Sequence, residues 1–125
     1  MNYSVLEGEY CIYKQDFEDP IFPVGSGGLW SVTRSVDEIS VICRKEVVPD
    51  GVRVNKGWVC LEIEGPLDFE LKGVLLTFLE PLAKCGISVL TLSTFDTDYV
   101  MIRRHDEHSA FEALAAHGHK LISSA

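Results

Sequence analysis

The first half of the chain has the apolar spacing of β-strands. Short apolar runs or alternating apolar positions occupy residues 5–13, 29–34 and 39–43, and this spacing is typical of strands. Residues 15–28 contain two prolines and three glycines, which excludes a long helix and predicts a loop. We therefore predict an all-β first half that extends to about residue 55.

The second half alternates between strands and helices. Residues 58–63 form a predicted strand, and apolar residues at spacings of 3, 1, 3, 1 and 3 in residues 71–82 form one face of a helix. Gly86 should end this helix, and Pro81 should remove one hydrogen bond near its end and bend it. Two strands, a second helix that Asp106 caps and Gly118 stops, and a short last strand follow (residues 87–94, 99–103, 106–118 and 120–122). The order β-α-β-β-α-β predicts a ferredoxin-like α+β fold.

A weak internal repeat relates the two halves at an offset of 60 residues. Residues 32–42 align with residues 92–102, each as a strand, a short turn, an acidic residue and a strand, and Glu38 falls on Asp98. Few identities support the alignment, so a chance match is the alternative explanation. If the repeat is real, the first half is a second copy of the βαββαβ unit that lacks its first helix.

Composition excludes several classes of protein. The hydrophobic fraction of 46% is ordinary for a globular domain, and 11 basic against 19 acidic residues give a net charge of −8. A protein with a net negative charge is poorly suited to bind nucleic acid or an anionic membrane surface, because both repel it. The first residues have no basic region typical of a signal peptide, and the most apolar stretch, residues 74–79, is too short to span a bilayer. We therefore predict a cytoplasmic protein with neither a nucleic-acid nor a membrane partner.

The cysteines and histidines do not form a recognisable metal site. The four cysteines have no Cys-x-x-Cys spacing, and three of them lie in predicted strands, so we expect reduced and buried thiols there (Cys11, Cys43 and Cys60, with Cys85 outside the strands). Every histidine lies near the ends of the second helix, in His105-Asp106-Glu107-His108 and His117-Gly118-His119. A His-x-x-His pair could bind a metal, but no third ligand is evident, and solvated histidines are the simpler interpretation. No metal and no cofactor are predicted.

No motif of a known enzyme class is present. The chain has no Gly-x-Ser-x-Gly elbow, no phosphate-binding loop and no dinucleotide-binding fingerprint. The glycine-rich Gly25-Ser26-Gly27-Gly28 is followed by neither a lysine nor a helix that could hold a phosphate. We therefore predict no catalytic residues and no enzymatic activity.

Four segments of the second half form a recognisable set: Gly65-Pro66-Leu67-Asp68-Phe69, Gly73-Val74-Leu75, Pro81-Leu82-Ala83-Lys84-Cys85-Gly86-Ile87-Ser88-Val89 and Ser93-Thr94-Phe95-Asp96-Thr97-Asp98-Tyr99-Val100. They resemble the ACT domain, the small-molecule-sensing module of amino-acid metabolism. Asp37-Glu38-Ile39-Ser40-Val41-Ile42-Cys43, followed by Val48-Pro49, resembles small bacterial proteins with two ACT-like units, the first degenerate. ACT units of aspartate kinases and of a eukaryotic arginine sensor are related to these proteins. The resemblance implies a degenerate ACT-like unit in residues 1–56 and an ACT domain in residues 57–125.

The resemblance also implies amino-acid binding at an interface between ACT units, often across a dimer, without catalysis. The ligand carboxylate would meet the start of the first helix at Gly73, and its ammonium would meet Asp98. Thr94, Phe95, Ile87 and Ser88 would supply backbone groups and a wall, and Asp68 is a further candidate for ligand contact.

Each of these candidate residues also has a purely structural interpretation. Gly73 could allow close packing of helix on sheet, Asp98 could cap its own turn, and Asp68 could cap the helix. Glu38 is a candidate for a second site, although a solvated acidic residue in a hairpin is the simpler interpretation.

We therefore predict a non-enzymatic amino-acid sensor that forms a homodimer. The alternative is a structural or protein-interaction module on an ACT scaffold that has lost its ligand.

Overall fold

The computed structural model describes residues 1–18, 20, 22–23, 27–67 and 73–124. In chain order the elements are β1 (Asn2–Val5), β2 (Tyr10–Gln15), β3 (Ser31–Arg34), β4 (Ile39–Arg44), β5 (Arg53–Ile63), α1 (Val74–Lys84), β6 (Val89–Ser93), β7 (Asp98–Arg103), α2 (Glu107–Ala116) and β8 (Lys120–Ser124). Single 3-10 turns at Lys45–Val47 and Arg104–Asp106 complete the set. No helix in the described part of the chain is long and apolar enough to cross a membrane.

The chain divides into two compact units. The helical unit consists of Met1–Glu7 and Val59–Ala125, and the β unit consists of Gly8–Trp58. The boundary between the units lies near residue 58, and the first strand belongs with the C-terminal residues. The chain therefore enters the helical unit, leaves it to form the β unit, and returns.

The helical unit has the predicted order of strands and helices. β5, α1, β6, β7, α2 and β8 follow one another as β-α-β-β-α-β, so the α+β, ferredoxin-like fold class is confirmed. Its strands lie in the order β8-β1-β5-β7-β6. β1 pairs antiparallel with β5 through Tyr3 and Ile63, and parallel with β8 through Tyr3 and Leu121.

Both helices contribute apolar residues to the core of the helical unit. Phe78 and Leu82 of α1 and Ala110 and Leu114 of α2 are fully buried among strand residues that include Tyr3, Val59, Leu61, Ile63, Val100 and Ile102. The rings of Tyr3 and Phe78 meet edge to face, with centroids 5.4 Å apart. This packing explains why β1 belongs to the helical unit: its side chain at Tyr3 fills the core beneath α1.

The β unit is built from hairpins. Its strands lie in the order β3-β4-β2-β5, all antiparallel, and β5 contributes its first residues to this unit. Within the described residues of the unit, the 3-10 turn Lys45–Val47 is the only helical segment. Tyr13, Val41 and Cys43 form a small buried cluster between β2 and β4.

The strand predicted over residues 5–13 is wrong in one respect, because it is two strands. Gly8 separates β1 from β2 and has a φ of 93°, a left-handed conformation that a side-chain-bearing residue rarely adopts. The break assigns β1 and β2 to different units, which a continuous apolar pattern could not indicate.

Both helices end in the same way. Gly86 (φ 70°) and Gly118 (φ 84°) follow the last helical residues, which confirms both predicted helix ends. The amides of Ile87 and His119 donate to the carbonyls of Leu82 and Leu114 at 3.1 and 2.9 Å, the Schellman pattern. An apolar contact usually accompanies this motif at the position of Ile87 and His119, and both residues are buried. His119 therefore differs from the prediction of solvated histidines.

Candidate functional site

A cavity of about 280 Å³ opens in the helical unit between the start of α1 and the turn that joins β6 to β7. A helix N-terminus, a polar turn and apolar side chains surround it. Its lining consists of Leu67, Gly73, Val74, Leu75, Leu76, Ser93, Thr94, Phe95, Asp96, Thr97 and Asp98. The volume is at the small end of the range for small-molecule sites.

Gly73 lies at the N-cap of α1 and forms one side of the cavity. Its φ of 71° and ψ of 11° are left-handed, which favours glycine. A Cβ built on Gly73 would meet no atom of the described residues within 4 Å, so close packing on the described strands does not explain this glycine. The first amides of any helix have no carbonyl one turn earlier to bind, and the cavity lies at this positive end of the helix dipole.

The opposite side of the cavity is the turn between β6 and β7. The amide of Thr94 donates to the carbonyl of Thr97 at 2.8 Å, and Ser93 and Asp98 face each other across the base of the turn. Ser93 Oγ donates to Asp98 Oδ1 at 2.5 Å, which orients the half-buried carboxylate. A carboxylate has further acceptor positions on its two oxygens, so this bond leaves Asp98 able to accept from a ligand.

Two hydrogen bonds fix this turn to the last residue of β5 and to the segment that follows it. The buried hydroxyl of Thr97 donates to the carbonyl of Ile63 at 2.6 Å, and the amide of Leu67 donates to the carbonyl of Asp96 at 2.6 Å. Gly65 passes so close that an added Cβ would lie 2.8 Å from the carbonyl oxygen of Asp96. The turn is therefore held in place by β5 before any ligand arrives.

Four of the seven predicted ligand-binding residues line this cavity: Gly73, Thr94, Phe95 and Asp98. Ile87 and Ser88 do not, because they precede β6 whereas the cavity lies beyond its other end. Ile87 is buried in the core of the helical unit, and Ser88 is exposed. Asp68 lies outside the described residues. That any of these residues contacts a ligand stays a prediction.

Several residues that shape the cavity were not predicted from the sequence. Ser93 and Thr97 hold the turn through their hydroxyl groups. Both are hydroxyl residues next to the predicted site residues Thr94 and Asp98, and this proximity in the sequence could have indicated them. Leu76, at the start of α1, is 64% exposed, and Phe95, at the tip of the turn, is 82% exposed. Two large apolar side chains therefore stand in solvent at the margin of the cavity.

The β unit contains the same turn. The amide of Ser35 donates to the carbonyl of Glu38 at 2.8 Å, and the amide of Glu38 donates to Ser35 Oγ at 3.1 Å. In the same way, the amide of Thr94 donates to the carbonyl of Thr97 at 2.8 Å, and the amide of Thr97 donates to Thr94 Oγ1 at 3.4 Å. Ser35 therefore corresponds to Thr94, an offset of 59 residues (94 − 35).

This offset corrects the alignment at 60, since Glu38 now matches Thr97. The closing pairs are Arg34 with Ile39 and Ser93 with Asp98, so Ile39 occupies the position of Asp98. Ile39 is 1% exposed and apolar, and it offers no carboxylate. The turn of the β unit therefore lacks the acidic group that a second site of the same kind would need.

The histidines show no arrangement of a metal site. His108 pairs with Glu112 at 3.1 Å on α2, and His105 lies 3.5 Å from Asp106. Asp106 occupies the N-cap position of α2, but its side chain makes no capping hydrogen bond. Across the described ranges, no three His, Cys, Asp or Glu residues are grouped so that they could hold a metal ion.

The sequence profile of the ACT domain matches residues 53–116, about half of the chain. A crystal structure of an Agobacterium tumefaciens protein is 34% identical, with a TM-score of 0.89 over 98% of this chain and 92% of that one. A Vibrio cholerae protein described as a possible transport protein is 15% identical, with a TM-score of 0.70 over 93% of this chain and 88% of that one.

The regulatory subunit of Thermus thermophilus aspartate kinase is 8% identical, with a TM-score of 0.67 over 93% of this chain and 96% of that one. At these identities the Vibrio and Thermus structures share the fold alone. A comparison with curated proteins gave no match. The profile match over residues 53–116 and the Agobacterium relative identify the family. The chain belongs to the ACT domain family.

Proposed function

We propose that the cavity between α1 and the β6–β7 turn binds one free amino acid, and that the protein is a non-enzymatic sensor. One observation carries the proposal: the N-terminus of α1 at Gly73 and the carboxylate of Asp98 line the same cavity of about 280 Å³. A free amino acid carries both a carboxylate and an ammonium, and these two features have the complementary charges.

The ligand carboxylate would lie at the N-terminus of α1. This helix has 11 residues, so its aligned peptide dipoles place a partial positive charge at its start. The absence of a side chain at Gly73 leaves the backbone open to a ligand. Amide donors at a helix start bind carboxylates and phosphates alike, so the opposite wall must supply the selectivity for an amino acid.

The ligand ammonium would lie against Asp98. The hydrogen bond from Ser93 orients the Asp98 carboxylate before a ligand binds. Ligand binding therefore costs less side-chain conformational entropy at Asp98. A hydrogen bond between an ammonium and a carboxylate is among the stronger ones in proteins. Thr94 and Phe95 would contribute the backbone and the wall beside it, while Leu67 and Leu75 provide apolar surface for a side chain.

The exposed apolar side chains at the margin support closure by a second copy of the chain. Leu76 and Phe95 line the same cavity and would leave water if a partner covered it, and apolar residues grouped on a surface are typical of interaction sites. We therefore propose a homodimer in which the ligand lies at an interface between ACT units.

Similarity to regulatory proteins supports a regulatory role. The Thermus aspartate kinase subunit, whose fold this chain shares, is named as regulatory. Binding that shifts an equilibrium between two arrangements of the interface would suffice for a sensor, and no catalytic group is required. The protein would act in the cytoplasm, where free amino acids are available.

The β unit is proposed to be a reduced copy of the ACT unit. The matching turns at Ser35 and Thr94 support the predicted division into a degenerate unit (residues 1–56) and an ACT domain (residues 57–125). The division differs in one respect, because the first residues of the chain, including β1, belong to the unit formed by the C-terminal residues. Because Ile39 replaces the acidic residue, the reduced copy would bind no amino acid in this way.

Isothermal titration calorimetry against each of the twenty amino acids tests the proposal. The protein must first be unfolded, dialysed and refolded, so that bound ligand is removed, and its fold checked by circular dichroism. We expect saturable heat with at least one amino acid. Folded, ligand-free protein that gives no heat with any of the twenty would contradict the proposed function.

The second candidate is an interaction module that has lost its ligand. The exposed Leu76 and Phe95 favour it, since they suit a protein contact as well as a closed site. A cavity filled by the protein's own side chains would favour it further, but about 280 Å³ stays open here. Light scattering combined with the calorimetry separates the two candidates, because a dimer without ligand heat would indicate the interaction module.

A further inference from the structure

Two free cysteines of the β unit face each other across neighbouring strands. Cys11 of β2 and Cys43 of β4 are direct partners in the antiparallel register, and both are reduced and buried. Side chains of directly opposed residues lie on the same face of a sheet. Tyr13 and Val41, the next pair on that face, lie with Cys43 in the small core of the unit. The two thiols are therefore neighbours on the inner face.

The spacing of the pair fits a disulfide. The amide of Lys45 donates to the carbonyl of Glu9 at 2.8 Å, which makes Glu9 and Lys45 a hydrogen-bonded pair. Such pairs recur every second residue, so Cys11 and Cys43 form the next one. Hydrogen-bonded pairs have Cα atoms about 5.5 Å apart, at the centre of the range that disulfides accept.

Cys11 borders a cavity, although only 1% of its surface is exposed. A cavity of about 300 Å³ in the β unit has this residue in its lining, together with Lys45, Lys56, Val54 of β5 and apolar residues between β4 and β5 (Val48, Pro49 and Val52). Cys43 is equally buried but is not among the lining residues. The two cysteines are therefore unequal, because only Cys11 borders the cavity.

We propose that Cys11 and Cys43 are a modification site, which a low-molecular-weight disulfide entering the cavity converts into an intrachain disulfide. The thiolate of Cys11 attacks one sulfur of the reagent, the reagent's S–S bond breaks, and its first half leaves as a thiolate. The thiolate of Cys43 then attacks the Cys11 sulfur and expels the second half. The two cysteines lose two electrons, the reagent gains them, and the two cysteine protons end on the two released thiols.

Electrostatics agree with Cys11 as the first nucleophile and with a slow reaction. Burial and Glu9 raise the pKa of Cys11, and the nearby Lys45 and Lys56 oppose that rise. Burial, and after it the neighbouring Cys11, raises the pKa of Cys43 to about 11, as expected of adjacent thiols. Since the thiolate is the reactive form, the rate of cross-linking should rise about tenfold per pH unit near neutrality.

The test uses the folded Cys85→Ser protein, which lacks the exposed thiol. Incubation with 2-hydroxyethyl disulfide, followed by alkylation, proteolysis and mass spectrometry, should give a peptide linked through Cys11 and Cys43. In that background Cys43→Ser should instead accumulate the mixed disulfide on Cys11, and Cys11→Ser should leave Cys43 unmodified. Cys60→Ser is the matched control, since burial raises the pKa of Cys60 to about 12 and it is outside the cavity. Its yield of linked peptide should be unchanged.

Two results would overturn the proposal. One is that the linked peptide appears only after denaturant is added, since the thiols would then meet only in unfolded chains. The other is that Cys11→Ser accumulates a mixed disulfide on Cys43, since the cavity would then not define the order of attack. Because the linked peptide is sought with both cysteines present, the first result is informative even if a serine variant fails to fold.

Discussion

His119 supplies the hydrogen bond that Pro81 removes from α1. Proline has no amide hydrogen, so Pro81 cannot donate to the carbonyl of Thr77 one turn earlier. His119 Nε2 donates to that carbonyl at 3.0 Å instead. The other ring nitrogen, Nδ1, lies 2.8 Å from the ammonium of Met1, which can only donate, so Nε2 carries the proton of a neutral ring. The predicted loss of one hydrogen bond at Pro81 is therefore compensated from the end of the other helix.

The first prediction is that Pro81 and His119 are energetically coupled. His119→Phe keeps an aromatic ring beside Phe78 but leaves the Thr77 carbonyl unsatisfied, which should cost about 1–3 kcal/mol in the free energy of unfolding. Pro81→Ala provides a helical donor for that carbonyl, so the same histidine change should cost about 1 kcal/mol less in its background. Urea unfolding of the four proteins of this double-mutant cycle measures the difference.

The control for this cycle is His117→Phe. His117 is exposed and lies at the end of α2, two residues before His119, where its ring contacts the carbonyl of Ala113. Its effect should add to that of Pro81→Ala within about 0.5 kcal/mol. If the effects of His119→Phe and Pro81→Ala on the free energy of unfolding also add within this margin, His119 and Pro81 are energetically independent.

The second prediction concerns pH. Burial lowers the pKa of His119 below its ordinary value of 6.5; the bond to Thr77 opposes this shift, and the charge of Met1 adds to it. Unfolded chains therefore take up a proton near pH 6.5 that the folded protein resists. The stability from the neutral ring is complete above that pH and is lost as the pH falls toward the lowered pKa. Urea unfolding between pH 8 and pH 5 should show this loss in the wild type, and a smaller loss in His119→Phe.

The third prediction concerns the acidic residue of the proposed site. Asp98→Ala should weaken amino-acid binding about tenfold, since it removes a hydrogen bond between charged groups. Calorimetry with the amino acid that binds the wild type measures the change. Asp37→Ala, in the matching turn of the β unit, is the control and should leave the affinity unaltered. Wild-type affinity in folded Asp98→Ala would remove this carboxylate from the site.

The fourth prediction separates backbone strain from ligand contact at the two ends of α1. Gly73 and Gly86 have φ values of 71° and 70°, and a Cβ at either would meet no atom within 4 Å in the part of the chain that the structure describes. Gly73→Ala and Gly86→Ala should therefore each cost about 1 kcal/mol of stability, because both force alanine into a left-handed conformation. Only Gly73→Ala should also weaken amino-acid binding. The proposal of a carboxylate at the start of α1 fails if both variants bind like the wild type.

Local patterns predicted the helical unit well because its signals lie close together in the chain. The apolar face of α1 and the glycines at 86 and 118 specify helices and their ends within a few residues. The order β-α-β-β-α-β follows from them. The resemblance to the ACT domain grouped Gly73, Thr94 and Asp98 in one site, and all three line the cavity between the start of α1 and the β6–β7 turn.

The parts that the sequence did not predict depend on contacts between distant residues. His119 lies 42 residues from Thr77 in the sequence. No local pattern indicates that a histidine after a helix is buried and donates to a carbonyl that Pro81 leaves without a helical donor. β1 joins the helical unit through pairing with β5 and β8, far along the chain. The sequence indicates the strand β6 but not which of its ends faces the cavity, so it could not show that Ile87 and Ser88 lie at the other end.

The matched turns have a consequence for stoichiometry. Two copies of one turn, at Ser35 and at Thr94, would suggest two equivalent binding positions in each chain. Only one copy closes on a carboxylate, whereas the other closes on Ile39, whose side chain is part of the protein interior. A titration should therefore saturate at one amino acid per chain. A homodimer would hold two, and any cooperativity would have to pass between chains.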